Sequence, residues 1–213
     1  MSEQQNRNTV HRYVTVDQID QLKEAAYDMN EGRPLGRKLR DQLIIVIGAD
    51  MGFRAKELRG LKPSMFHFDE GIIIIPGHIQ KEYPTGSSPS NATLEIDPYD
   101  LFGTEQLLKT YQDSEWYQNQ DTDYLFPTRQ SDQMTTETIR NVVKRAAVEA
   151  DVRPKRTDGE PSEPTEMHPH VLRHSLASYM LKDEKTRLVD VRNRLRHRFT
   201  STTERIYEHF QKR

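Results

Sequence analysis

Apolar residues recur every three or four positions over most of this chain, and give way to short β-branched runs in only one region. Val16, Ile19, Leu22 and Ala26 keep a helical period. Thr15-Val16-Asp17-Gln18 ahead of them fits a capping box, with Val14 and Ile19 as its hydrophobic staple. Gly32 and Pro34 close that helix. A second helix is expected over 37–51, burying Leu39, Leu43, Ile44 and Ile47 and stopped by Gly52. A short helical turn, Phe53-Arg54-Ala55-Lys56-Glu57-Leu58-Arg59-Gly60, follows. The pattern then changes. Residues 65–68, 72–75 and 93–96 read as three strands, with Glu70-Gly71 as a turn and the Pro/Gly/Ser-rich segment 81–92 as a hairpin loop.

Helical spacing returns at 101–117, with Leu107, Leu108 and Tyr111 apolar. Tyr124-Leu125-Phe126-Pro127 reads as a buried hook. Thr135 or Thr136 caps a helix carrying Ile139, Val142, Val143, Ala146 and Ala150. Residues 151–168, with Pro154, Pro161 and Pro164, read as an exposed loop, and three helices are expected near 170–182, 186–195 and 202–210. The fold class is therefore mainly α with a small three-stranded antiparallel sheet. The expected organisation is a flexible tail over 1–13 and one domain over 14–213.

Composition narrows the class. The 213 residues contain no cysteine, which excludes disulfides, thiolate zinc sites and a cysteine nucleophile. No apolar run is long enough to span a membrane, and the first residues lack the apolar centre of a signal peptide, so a cytoplasmic protein is expected. The net charge is only −2, but its distribution is uneven. Residues 182–213 carry ten Lys/Arg against five Asp/Glu. A basic end on an otherwise acidic chain suits a polyanionic partner; a solvated charged helix has the same composition.

The candidate chemistry concentrates in that half. His170 and Arg173 are three residues apart, so they can share a helical face. Arginine offers a planar fork of donors matched to phosphate oxygens, and histidine exchanges a proton near neutrality. His168, His170 and His174 form an H-x-H-x-x-x-H pattern, but no acidic residue on the helix completes a metal set; Glu166 lies on the loop side of Pro169. Arg192, Arg194, Arg196 and Arg198 alternate, so 192/196 and 194/198 fall on different helical faces, as phosphate contacts or plain solvated charge. Taken singly, Arg54 and Lys81 read as surface residues, and Tyr207, between Ile206 and Phe210, reads as a core tyrosine.

In order along the chain, these pieces resemble the catalytic domain of the tyrosine recombinase (phage integrase) family. The family's G-x-R-x-x-E-L turn is matched by Gly52-Phe53-Arg54-Ala55-Lys56-Glu57-Leu58, its hairpin lysine by Lys81, and its H-x-x-R by His170-Val171-Leu172-Arg173. Leu195-Arg196-His197 stands at its L-G-H-like motif, and Ser201-Thr202-Thr203-Glu204-Arg205-Ile206-Tyr207 at its tyrosine motif. Two departures stand out. Arg196 occupies the usual glycine position. Tyr207 lies ten residues after His197 instead of the family's nine, a rotation of about 100° on a helix that the turn at 198–203 is expected to absorb. The 213 residues are expected to hold the catalytic part without the family's amino-terminal DNA-clamping domain, and Glu208-His209-Phe210-Gln211-Lys212-Arg213 come after Tyr207.

The resemblance implies a site-specific recombinase or integrase that cuts and rejoins double-stranded DNA. Tyr207 is the nucleophile forming a 3′-phosphotyrosyl link. Arg54 and Arg173 hold the phosphate, His197 adds a hydrogen bond, His170 is the base, and Lys81 protonates the leaving oxygen. Glu57 orients Arg54 or a histidine. No metal and no other cofactor is implied. A homotetramer on two DNA sites is expected, from a chain that can be a monomer when free. Three other readings share parts of the pattern: a catalytically silent DNA-binding relative, a DNA-relaxing enzyme of type IB topoisomerase kind, and a metal-binding helical protein.

Overall fold

The structure, a computed structural model, describes residues 10–83, 86–96 and 102–196. Its centre is α2, Leu35–Asp50, whose run Leu43-Ile44-Ile45-Val46-Ile47 is wholly buried. The sequence pattern assigns one stripe of this helix to the core. The structure surrounds it, with α1 (Val16–Asp28), α4 (Thr104–Gln112) and α7 (Pro169–Met180) packed around it, so Ile45 and Val46 are covered too. The second half of this helix is apolar on every side, as suits an element enclosed by others. Gly48 lets α7 approach closely: a Cβ there would stand 3.0 Å from Leu172 Cδ1.

α1 begins as its sequence specifies. The Gln18 amide donates to Thr15 Oγ1 at 3.3 Å and the Thr15 amide donates to Gln18 Oε1 at 3.0 Å, a reciprocal cap. After α2 come the short α3 (Ala55–Gly60) and an antiparallel sheet of β2 (Phe66–His67), β3 (Ile72–Ile75) and β4 (Ala92–Glu95) in that order. Ile73 pairs with Phe66 on one side and Leu94 on the other. Ile73, Ile75 and Leu94 face the core, so the unbroken isoleucine run is one-sided after all. The amide of buried Gln80 donates to Ile75 O and Ser90 O, each at 3.0 Å, and ties the hairpin's two arms together.

The expected helix over 101–117 is two helices, α4 and α5 (Glu115–Gln118). Ser114 separates them: its hydroxyl donates to Tyr111 O at 2.6 Å and accepts from the Tyr117 amide at 3.3 Å, capping a new start. The tail and loop expectations also change. Arg12–Tyr13 form β1, which pairs with β5 (Lys155–Arg156) inside the segment read as an exposed loop. Arg12 further pairs with Glu166, and the Val14 amide donates to Ser175 Oγ at 2.8 Å. These contacts stitch the start of the chain to α7. Two-residue strands have no period to detect, and their partners lie some 140 residues apart in sequence. The last helices are α6 (Thr136–Glu149), capped by Thr135, then α7 and α8 (Leu188–Leu195). The helix expected near 202–210 lies outside the described residues.

Candidate active site

The site is built where three helix ends meet: the end of α2, the start of α3 and the end of α8. α2 stops at Gly52, whose φ of +63° reverses the chain into Phe53 and Arg54. A side chain at Gly52 would meet both strain and crowding, its Cβ lying 2.9 Å from Leu195 Cδ2 and 3.0 Å from Leu176 Cδ2. Gly52→Ala is therefore expected to cost about 1–3 kcal/mol in denaturant unfolding, from the left-handed backbone and overpacking together.

Arg54 is the cap residue of α3. Its amide donates to Glu57 Oε2 at 2.7 Å and its Nη1 to Glu57 Oε1 at 3.0 Å. The Arg54 side chain keeps 18% of its surface exposed, whereas that of Glu57 keeps none. The second donor to Glu57 Oε2 is Arg196 Nη2 at 2.8 Å, from the residue that ends α8. Burial by itself would raise the Glu57 carboxyl, but Arg196, Arg54 and Arg173 around it outweigh that and hold its pKa below the ordinary value. The carboxylate is thus a buried anion shared by two guanidiniums.

α7 supplies the other half. Pro169 occupies its first turn and leaves His168 outside as the cap residue. His170 and Arg173 then share a face, as their spacing requires. Arg173 is 1% exposed and bridges the other ends, donating from Nη1 to Gly52 O and from Nη2 to Leu195 O. His170 reaches solvent. Desolvation by the protein beside it, then Arg173 and Arg54, lower its pKa to about 4. Its ring lies 5.7 Å from that of His174 and 6.4 Å from that of His168, and His174 meets His11 at 5.1 Å. The H-x-H-x-x-x-H pattern thus makes a row of rings rather than a ligand cage, and no group of three metal-ligating side chains converges among the described residues.

A histidine that resists protonation leaves a signature. An NMR titration of the free protein should place His170 near 4, against about 6.5 for an ordinary imidazole. Between those two values the unfolded chain binds the proton and the folded chain does not. Acidification through that window is therefore expected to lower stability, and His170→Gln should flatten that part of the stability–pH curve.

The remaining expected site residues lie differently. Lys81 is exposed on the loop after β3 and has no hydrogen bond or ion pair among the described residues. Its neighbours are fixed by a residue of α3: Lys56 Nζ donates to Gln80 O at 3.2 Å and Glu82 Oε1 at 3.0 Å. Sequence reasoning missed Lys56, whose position two residues after Arg54 gives no signal of its own. Arg192 stays at the surface against Asn193, and Arg194 donates to Glu95 O and Asp50 O. Arg196, expected to meet either phosphate or solvent, is turned inward in the free chain. Its side chain is 6% exposed, paired with Glu57 and stacked 5.0 Å from the Phe53 ring centre. His197, Arg198 and Tyr207 lie outside the described residues.

This geometry coincides with a family match. The model of the phage integrase family matches residues 12–213. The chain belongs to the phage integrase family. Among relatives of this phage integrase chain, tyrosine recombinase XerD of Haemophilus influenzae is 28% identical over 203 residues, covering 94% of this chain and 59% of the relative. Tyrosine recombinase XerC of Oceanobacillus iheyensis is 27% identical over 199 residues, 92% of this chain and 56% of the relative. The chain thus spans under two thirds of the length of these relatives. In structure it is similar to XerA recombinase, with TM-score 0.67 at 23% identity over 91% of this chain and 59% of that one. It is similar also to XerH recombinase in a post-cleavage complex with its difH substrate, with TM-score 0.68 at 23% identity over 98% of this chain and 52% of that one. These likenesses agree with the mainly helical fold and its small antiparallel sheet. Among the described residues no helix is long and apolar enough to cross a membrane.

Proposed function

We propose that this chain is the catalytic part of a site-specific DNA recombinase that cuts and rejoins duplex DNA through a 3′-phosphotyrosyl intermediate. The observation that carries the reading is the meeting of Arg54, Arg173 and His170 around one turn, with Glu57 behind them. Two guanidiniums and a proton-free imidazole are what a scissile phosphodiester needs. The arginines offset charge that grows on the non-bridging oxygens as the fifth bond to phosphorus forms. The imidazole is unprotonated at pH 7. A pKa of about 4 makes it a weak base in the free chain, and the negative charge of a bound phosphodiester would raise it toward the working range of a general base.

In the proposed step, Tyr207 Oη bonds to phosphorus and the bond from phosphorus to O5′ breaks. The phenol, with an ordinary pKa of about 10, gives its proton to His170 as it attacks. Lys81 gives a proton to O5′, which leaves as a hydroxyl. His197 adds a hydrogen bond to the phosphate. Religation runs the same transfers backwards on another 5′-hydroxyl. The step takes neither a metal nor a nucleotide: arginines supply the positive charge, and the tyrosyl ester retains the energy of the broken bond. Double-stranded DNA is the proposed partner, with a homotetramer on two sites as the working assembly.

The test uses a pool of nicked duplexes of randomised sequence, in which the short 5′-hydroxyl fragment diffuses away and religation fails. The chain should form a protein–DNA adduct that survives denaturant, and Tyr207→Phe should form none. Retained DNA without an adduct would instead mark a catalytically silent binding protein. Relaxation of supercoiled plasmid by the monomer, without strand exchange, would mark the topoisomerase-like reading.

A further inference from the structure

Resting on that reading, we propose that Arg196 is a positioning residue for Arg54: its buried guanidinium shares the Glu57 carboxylate and so fixes how Arg54 presents itself to the phosphate. Three observations lead there. The first is occupancy. Glu57 has two carboxylate oxygens and three nitrogen donors, namely the Arg54 amide and Nη1 and the Arg196 Nη2. With Oε2 held by Arg196 and the Arg54 amide, Oε1 receives Arg54 Nη1 in a fixed orientation. Without Arg196, Oε2 keeps only the Arg54 amide, so the carboxylate is held less tightly and Arg54 Nη1 is oriented less firmly.

The second is enclosure. The Arg196 side chain is walled in, with its guanidinium 5.0 Å from the Phe53 ring centre and its Nη1 donating to Arg194 O at 3.2 Å. Its other terminal nitrogen, Nη2, is the one that donates to Glu57. In this arrangement Arg196 acts on a phosphate through what it touches, and it touches Glu57 and Phe53, which flank Arg54 in the chain and in the carboxylate clamp.

The third is backbone. Arg196 sits at φ 54° and ψ 45°, the left-handed region that glycine occupies freely and other residues occupy only when held. Here the holding bonds are those just named. One residue earlier, Leu195 O accepts from Arg173. Two arginines thus pin the end of α8 to the turn that carries Arg54.

The experiment is a double-mutant cycle read in single-turnover cleavage of nicked duplex at saturating protein, with noncovalent duplex affinity and its salt dependence measured alongside. Arg196→Gln should slow cleavage about 10–100-fold in the otherwise unaltered chain. In an Arg54→Ala background the same change leaves Glu57 no hydrogen-bonded guanidinium, so unfolding midpoints are needed to correct for the folded fraction. There it should slow the residual rate of the folded protein less than about threefold, because the residue it serves is gone. Affinity and its salt slope should not change. Arg196→Lys, which keeps a cation for Glu57, should recover part of the rate.

Equal slowing in both backgrounds would overturn the proposal, since a purely structural contribution adds. A salt slope lowered by about one would overturn it too, by showing a direct phosphate contact. A second readout needs neither DNA nor cleavage. In the free protein, the Arg54 guanidinium should give separate, slowly exchanging Nη signals that average in Arg196→Gln. Unchanged Arg54 signals there would overturn the proposal. Failure of the unaltered chain to cleave would instead count against the recombinase reading.

Discussion

Glu57→Gln is expected to lose about 3–5 kcal/mol of folding stability and most cleavage activity together. The stability figure follows from what the substitution leaves behind. Glu57 is wholly buried, with Arg196 almost as deep, and removing one partner of a buried ion pair strands the other charge away from water. An amide also cannot accept from all three donors in the present arrangement, because one of its two heteroatoms is itself a donor. A glutamine there can keep the cap of α3 through its one oxygen, but only by giving up an acceptor for a guanidinium N–H. Chemical denaturation at neutral pH reads the loss. The pH dependence adds a second check. The carboxyl pKa is lowered in the fold, so its contribution is fully present above its unfolded value of about 4.3. That contribution fades as pH falls through the lower folded value, and Glu57→Gln should lack it altogether.

Arg54→Ala is expected to slow cleavage by about 10²–10³-fold, the usual cost of removing one preorganised donor to a developing oxyanion. Its effect on stability should be far smaller than that of Glu57→Gln, because its side chain is part exposed and Arg196 still satisfies the carboxylate. The contrast with Arg173→Ala separates chemistry from architecture. Arg173 is buried and donates to the carbonyls of Gly52 and Leu195, so its removal strands two acceptors and opens a void between three helix ends. Arg173→Ala should lose rate and stability together, whereas Arg54→Ala should lose rate almost alone. Single-turnover rates set beside unfolding midpoints decide this. Equal destabilisation by the two substitutions would show that Arg54 is chiefly structural.

Much of this was legible in the residues because the signals were local. The Thr15–Gln18 cap, the Gly52 stop, Thr135 before α6 and the three strands around Ile72–Ile75 each declare themselves within a few positions. The pairing of His170 with Arg173 was legible for the same reason, as one turn of helix. What stayed hidden depends on distant partners. The β1–β5 pair is too short to have a period, and Ser114 splits a helix by bonds that helical spacing does not register. The arginines of α8 alternate as a solvated helix would. Nothing near Arg196 announces a buried carboxylate 139 residues earlier. The one clue was its place in the family pattern, where a glycine is usual. The backbone of Arg196 is left-handed, a conformation glycine adopts freely, and here the Glu57 pair holds an arginine in it.

The central claim is that Arg54 and Arg173 serve one phosphate beside His170. A structure of the Tyr207→Phe chain bound to a duplex selected by adduct formation tests it most directly. The account predicts a single phosphate with non-bridging oxygens within about 3 Å of both guanidiniums, and residue 207 turned toward its phosphorus. A phosphate held by Arg54 alone, with Arg173 still closed on Gly52 and Leu195 and no phosphate oxygen beside it, would contradict it.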